Sequence, residues 1–549
     1  VALYLLKVTY DSWVTTVLFW ISFPFLFGCA LITIPLLIAE LLEHQRTERI
    51  RQESDEQQMR VLSEVSHRIA EFQPPLGPFG ASGYLFIPPN KVRSIIAMTA
   101  GTGLAGYVEE DFDTKKLVTA EDWFPIISPE LRAVLKKQVR FGFDDELRFS
   151  GQWIVGAQGS GKTNLLSVQI AADLDRVAKG ECSLFILDSQ NELIPQIARL
   201  DRFLSGGDLE GKLIYLEPQA SRPLALNPFD LTLRPGLSEE GREALISGAT
   251  QMVKFFLSSI LETDTSGQQR TMLEYVIPAV MEIPGATLVT LRQLVDEGGR
   301  ALVEQHLRHL DTYEWLSKTL HSNDLRVTRV AIRNRIDGML ANRYFRGMFS
   351  SPANALDLFQ ELQDGKVVLI NTKKGVLKDA TAPFGRFFIA RLLQATEERM
   401  LLPKANRKPV FAYIDEASDY VASDANVEEL IDKARKQRVG LTFANQRVEQ
   451  IDSTAVLSAL RNCQIQFFNG AMKTWELSVR RAPAILVDVP HVDFATQPHI
   501  SDYEFDMLRE YMAERFGAAA VKEIIEPEIL PPQRTLPPPG ELPTGPEKY

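Results

Sequence analysis

The stretch GAQGSGKT runs from Gly156 to Thr163, after the apolar run QWIV and before the helix-like run LLSVQIAADL. It fits G-x-x-x-x-G-K-[ST] at every position. Glycines at this spacing let backbone N–H groups turn inward around phosphate oxygens, and the helix start adds its partial positive charge. Gly156, Gly159, Ser160 and Gly161 are the expected cradle. Lys162 is expected to reach the β- and γ-phosphates of ATP, and Thr163 to ligate Mg²⁺. The strand before and the helix after supply the context this motif needs.

A phosphate loop alone does not separate a switch, a kinase and a motor. A second, acidic motif does. Two apolar runs end in a carboxylate: SLFILD at Asp188, and VFAYIDE at Asp415 and Glu416. The Asp-Glu pair suits hydrolysis, with Asp415 holding Mg²⁺ through water and Glu416 polarising the attacking water. Asp188 is expected on a neighbouring strand end, near the phosphates but secondary. An extra strand is expected between the loop strand and the Asp-Glu strand, leaving room for that water. Gln446 ends VGLTFANQ and is placed to sense the γ-phosphate. Arg435 and Arg438 precede that strand; one of them, with Arg435 preferred, is a candidate arginine finger for a neighbouring subunit. A solvated basic face is the competing reading.

Strand-like and helix-like runs alternate from Leu147. QWIV, SLFILD, KLIYLEP, KVVLINTK, PVFAYID, VGLTFANQ and CQIQFFNG read as strands, and the stretch 237–350 reads as almost all helix. The expected fold is α/β: a P-loop (RecA-like), mostly parallel sheet with an inserted all-α domain, plus an N-terminal transmembrane helix. The expected division is a transmembrane anchor at 1–42, a helical stalk and linker at 43–83, and a small region of poorly defined pattern at 84–145. A nucleotide-binding domain follows in two parts, 146–236 and 351–490, around the helical insert at 237–350. A C-terminal helical region at 491–526 and a Pro-rich, disordered tail at 527–549 complete it.

The anchor rests on Trp13–Ala39, 27 residues without a formal charge. About 20 apolar residues suffice to cross a bilayer. Arg46, Arg49 and Arg51 follow, which places the rest of the chain in the cytoplasm by the positive-inside rule. The chain starts at Val1, and its N-terminus reads as incomplete. Three cysteines without paired spacing imply neither a disulfide framework nor a zinc site. A net charge of −11 argues against a surface coated in nucleic acid but leaves room for a locally basic channel. Arg326, Arg329 and Arg333 share one helix face; a phosphate-contacting stripe and a solvated face both fit them. GTGLAG at Gly101–Gly106 lacks the following apolar-faced helix of a dinucleotide site and reads as a glycine turn.

Taken in order, these motifs resemble the coupling proteins of type IV secretion and conjugation, within the FtsK–HerA superfamily of DNA-pumping ATPases. The resemblance spans roughly residues 145–470 and includes LALNPFD and TLVTLRQLVDEG. It implies a homohexameric ring at a bacterial inner membrane, with one clear span and the ATPase domain cytoplasmic. It implies a channel for DNA or a DNA-bound relaxase, secretion-channel partners, and an insert that selects cargo. Lys162, Thr163, Asp415, Glu416 and Gln446 match by motif position. After Asp188 the chain departs from the pattern: it has SQNEL, where Glu192 is the one residue able to replace the family's Glu. A phage or other membrane-associated DNA-packaging ATPase of the same superfamily is the alternative. A membrane scaffold with a nucleotide switch is a third reading, and Glu416 argues against it.

Overall fold

The computed structural model describes residues 77–82, 129, 132–133, 136–230, 239–261, 267–421, 427–471, 473–482 and 484–518. The apolar run at 13–39, the charged stretch after it, GTGLAG and the Pro-rich tail lie outside the described residues. Among the described residues no helix is long and apolar enough to cross a membrane.

Eleven strands form one sheet. They are β1 (Phe79–Ser82), β2 (Gln138–Phe141), β3 (Gln152–Val155), β4 (Ser183–Asp188), β5 (Leu213–Leu216), β6 (Val367–Asn371), β7 (Val410–Ile414), β8 (Val439–Asn445), β9 (Ile465–Ala471), β10 (Thr474–Val479) and β11 (Ile485–Asp488). Their order is β2-β1-β11-β10-β9-β3-β8-β7-β4-β6-β5. The seven strands from β9 to β5 are parallel, and the four beyond β9 are antiparallel. Strands β3 to β8 are buried on both faces, which is why their sequences are near-continuous apolar runs. β10 alternates buried and half-buried residues, as an antiparallel strand with one wetter face does.

The register decides where the chemistry sits. Val155 is level with Asn445, Ile414 with Phe443, Leu187 with Ile414, and Asp188 with Asn371. The carboxyl ends of β3, β8, β7, β4 and β6 therefore line up along one edge of the sheet. Open α/β sheets bind ligands at that edge.

The α-helices of six residues or more among the described residues are α1 (Lys162–Ala178), α2 (Leu193–Ala198), α3 (Glu239–Leu261), α4 (Gly267–Met281), α5 (Leu288–Leu294), α6 (Gly299–His306), α7 (Arg326–Ala341), α8 (Arg343–Met348), α9 (Leu358–Gln363), α10 (Thr381–Glu398), α11 (Val427–Lys436), α12 (Thr454–Arg461) and α13 (Asp502–Arg515). Helices α3 to α8 lie between β5 and β6 in sequence. Pro284 and Gly285 break the helical run there, and Thr287 opens α5 by accepting from the Val289 N–H. The helices join the sheet layer through an aromatic cluster: Phe256 and Phe349 stack, and Phe387 meets both edge-on.

Two local readings change. Phe79–Ser82 falls in the Pro- and Gly-rich stretch expected to be a linker, but it is β1, paired with β2 and β11. The arginine stripe is not one exposed surface. Arg329 is buried and donates to the carbonyls of Leu320 and Ser322, while Arg333 pairs with Asp296 at 3.1 Å. The helix turns Arg329 inward because Thr328, Ile332 and Ile336 face the core with it.

Candidate functional site

The loop from Gly156 to Thr163 joins β3 to α1. Gly159 and Gly161 take left-handed φ values of 78° and 89°, which a residue with a Cβ rarely adopts. Gly156 has a different reason to be glycine. An added Cβ would sit 2.5 Å from both Ser160 Oγ and the Trp475 ring. Ala157, Gln158, Gly159 and Thr163 face solvent. Lys162 instead folds back into the protein.

Its partners come from β7, two strands away. Lys162 Nζ lies 2.9 Å from Asp415 Oδ1 and bonds Glu416 Oε1 as well. All three side chains are buried. Burial alone would lower the Lys162 pKa. The two carboxylates outweigh it and hold the ammonium above its ordinary value. Burial raises the Asp415 carboxyl, and Lys162 opposes that rise.

The Asp-Glu turn is pinned from both sides. Asp415 N–H donates to Leu187 O on β4 at 3.0 Å, and Ala417 N–H to Ala444 O on β8 at 2.9 Å. Between them Glu416 is held at φ 48°, a left-handed value that costs a non-glycine residue about 1–3 kcal/mol. Lys162, Gln190 and Gln446 converge on its Oε1, the two amides at 2.7 and 2.8 Å. Strand β8 does lie between β3 and β7, and it delivers Gln446 to that carboxylate.

Asp188 ends β4 beside this cluster. Its Oδ1 accepts the Gln190 N–H at 2.7 Å. Burial, together with the Asp415 charge, raises its pKa to about 6. Within SQNEL it is Gln190, and not Glu192, that reaches the site; Glu192 is exposed. An amide in that position carries no sequence signature. Its role is visible only once β4 and β7 are neighbours.

Arg435 does not join the group. It is exposed near the end of α11, at the opposite end of β8 from Gln446. Strand β8 spans Val439–Asn445, so the two are about 20 Å apart along the sheet. Any part Arg435 plays at a phosphate loop requires a second copy of the chain. Arg438 donates to Arg407 O at 3.1 Å.

One contact at the loop had no sequence signal. Asn164, directly after Thr163, donates to Pro490 O and accepts from Val492 N–H, both at 2.9 Å. The segment after β11 is thereby tied to the start of α1.

The donor set can be weighed against a nucleotide and its metal. The exposed Thr163 hydroxyl and the Asp415 carboxylate share one strand-end edge with a glycine cradle. Among the described residues no three His, Cys, Asp or Glu side chains are disposed to hold a metal by themselves. The Thr163 and Asp415 oxygens suit Mg²⁺, which takes one or two protein ligands and completes its shell with phosphate oxygens and water.

No family model matches this chain, and no curated protein matches it. Solved structures do. The plasmid coupling protein TrwB in complex with ADP and Mg²⁺ overlaps 66% of this chain and 83% of its own, at 15% identity and a TM-score of 0.44. An unbound form of the conjugative coupling protein TrwB overlaps 65% of this chain and 89% of its own, at 13% identity and a TM-score of 0.47. VirB4 of Thermoanaerobacter pseudethanolicus overlaps 66% and 96%, at 14% identity and a TM-score of 0.44.

Proposed function

We propose that this chain is an ATP hydrolase that binds ATP and Mg²⁺ at the Gly156–Thr163 loop. The observation that carries the reading is the Glu416 carboxylate. It is buried, held in a strained backbone conformation, and gripped by Lys162, Gln190 and Gln446 at the mouth of the loop. A site that only binds nucleotide does not need a carboxylate positioned at such cost.

The residues take these parts. The N–H groups of Gly159 and Gly161 cradle phosphate oxygens, while those of Gly156 and Ser160 donate to Asn445 O and Ala157 O and fix the loop's shape. Lys162 leaves its two carboxylates and pairs with phosphate, which frees Glu416 to accept a proton from water. Gln446 and Gln190 keep Glu416 oriented as Lys162 departs. Thr163 and Asp415 would hold Mg²⁺, which supplies positive charge beside the phosphates when bound. Asp188 stands in support on β4.

The finer reading is a membrane-anchored DNA or DNA–protein translocase acting as the coupling protein of a type IV secretion or conjugation system. It would work as a homohexamer at the bacterial inner membrane, with Arg435 serving a neighbour's site. The motif order and the Trp13–Ala39 run support it.

The test is ATP turnover with and without single- and double-stranded DNA, for wild type and Glu416→Gln. Losing a general base costs about 10²- to 10⁴-fold. DNA-stimulated turnover that collapses in the variant is the expected result. Equal turnover in the variant would overturn the role of Glu416. Turnover indifferent to DNA would overturn the translocase reading alone.

A further inference from the structure

We propose that Arg509, on the C-terminal helix α13, is a remote positioning residue for Glu416. It acts through Glu217, Tyr215, Asn371 and the adjacent pair Asn191–Gln190. This inference rests on the hydrolase reading above.

The contacts form a line along the carboxyl ends of β5, β6, β4 and β7. Arg509 grips Glu217 Oε1 through Nε at 2.6 Å and Nη2 at 2.5 Å. Lys373 Nζ holds Glu217 Oε2 at 2.8 Å, and Tyr215 Oη donates to the same oxygen at 2.7 Å. Asn371 Nδ2 donates to Tyr215 Oη at 3.3 Å and also bonds Asn191 Oδ1. Gln190, the next residue, donates to Glu416 Oε1 at 2.7 Å.

Chemistry gives this line a direction. A phenol has one proton, so with that proton on Glu217 Tyr215 can meet Asn371 only as an acceptor. The Asn371 amide is occupied at both ends, since its Oδ1 accepts the Lys373 N–H at 3.1 Å. It cannot flip without breaking the line. Glu217, Tyr215 and Asn371 are each at least 95% buried, at 4%, 2% and 0% exposure. Among these three a lost partner is felt by the next bond, because water is not there to replace it; Asn191 and Gln190, beyond them, are exposed and are coupled through the backbone. Asn191 sits at φ 61°, a left-handed conformation that its tether to Asn371 helps to hold. If the tether slackens, the backbone can relax and carry Gln190 away from Glu416. The bland reading is that Arg509 and Glu217 merely fasten α13 to the sheet.

A double-mutant cycle on kcat separates the two. Gln190→Ala should lower kcat about tenfold with KM little changed, since it disturbs a group used after binding. Arg509→Gln and Tyr215→Phe should each lower kcat about three- to fivefold, and neither should add to Gln190→Ala. Arg509→Lys, which keeps the charge but loses the fork, should fall between wild type and Arg509→Gln. Tyr215→Phe removes one hydroxyl and keeps the ring, so it remains informative if the Arg509 variants fold poorly. Losses that multiply, or wild-type kcat in Tyr215→Phe and Arg509→Gln despite a lowered Tm, would reduce the contact to a fastening and overturn the inference. Wild-type protein that binds ATP without turning it over would instead sink the hydrolase reading, and the network's part in catalysis with it.

Discussion

Lys162, at the start of α1, lies 2.9 Å from Asp415, at the end of a strand two places away in the sheet. The ammonium and the carboxylates of Asp415 and Glu416 satisfy one another before any ligand arrives. Removing the lysine therefore does more than remove the phosphate contact proposed for it.

Lys162→Ala leaves two buried carboxylates without their cation. Breaking one side of a buried ion pair costs about 3–5 kcal/mol. Acid relieves part of that cost by protonating the stranded Asp415 carboxyl, which burial already raises. Denaturant unfolding of the variant should thus show a larger loss at pH 8 than at pH 5.5. Equal losses at the two pH values would show that the pair carries no net electrostatic weight.

Asp188 supplies a second pH signature. Burial, with Asp415 beside it, pushes its carboxyl from 3.8 up to about 6. A carboxyl that binds its proton more tightly folded than unfolded stabilises the fold fully below its unfolded pKa. That stabilisation, about 3 kcal/mol for this shift, is lost as pH rises from about 4 to about 6. Asp188→Asn keeps an acceptor for the Gln190 N–H and removes the titration. The wild-type-minus-variant difference in stability should fall across that window and then stay level. A level difference from pH 4 to 7 would contradict it.

Arg148 is held from several sides, with most of its side chain covered. It bonds both oxygens of Asp173 at 2.7 and 2.6 Å, bonds Tyr413 Oη at 2.9 Å, and covers the Phe411 ring at 3.5 Å. This ties α1 to β7. Tyr413→Phe should cost about 1–2 kcal/mol, one hydrogen-bonded hydroxyl. Asp173→Ala should cost about 3–5 kcal/mol, because it strands a buried guanidinium. The midpoint of denaturant unfolding, at constant slope, reads both.

Gly156→Ala presses a methyl group onto the Trp475 ring and Ser160 Oγ. Overpacking of this kind costs about 1–3 kcal/mol. The paired change Gly156→Ala with Trp475→Phe makes room for the methyl. It should be more stable than the sum of its parts, by a coupling of about 0.5 kcal/mol or more. Strict additivity would show that the loop bends away from Trp475 unaided.

Six of the seven parallel strands, β3 to β8, were legible because burial on both faces writes itself as an apolar run, and the loop because its glycine spacing is so specific. The Asp-Glu pair was legible from the strand that ends in it. What escaped depends on distant pairing. β1 and β2 are four residues each, and they become strands by meeting each other and β11. Gln190 looks like any surface amide until β4 lies beside β7. Asn164 and Pro490 meet only because the antiparallel strands carry the later segment back over α1. Arg329 looked solvent-facing because three arginines on one helical face suggest a surface. The carbonyls of Leu320 and Ser322, which it satisfies, come from outside that helix.

The order of the strands has a consequence for the newly made chain. β3 carries the phosphate loop, yet its two neighbours are β8 and β9, both near the end of the described sequence. Helices α3 to α8 find many partners nearby and can organise early, whereas pairings across such sequence distances close late. During synthesis the loop strand has no neighbour until Asn445 is made, and lacks its second until Ala471. A ribosome-bound fragment ending before Val439 would hold the whole phosphate loop and still lack both strands that fix it. Protease protection at Trp153 should therefore appear only once β8 and β9 have left the ribosome. On the hydrolase reading, a half-made molecule would have no working site with which to consume nucleotide.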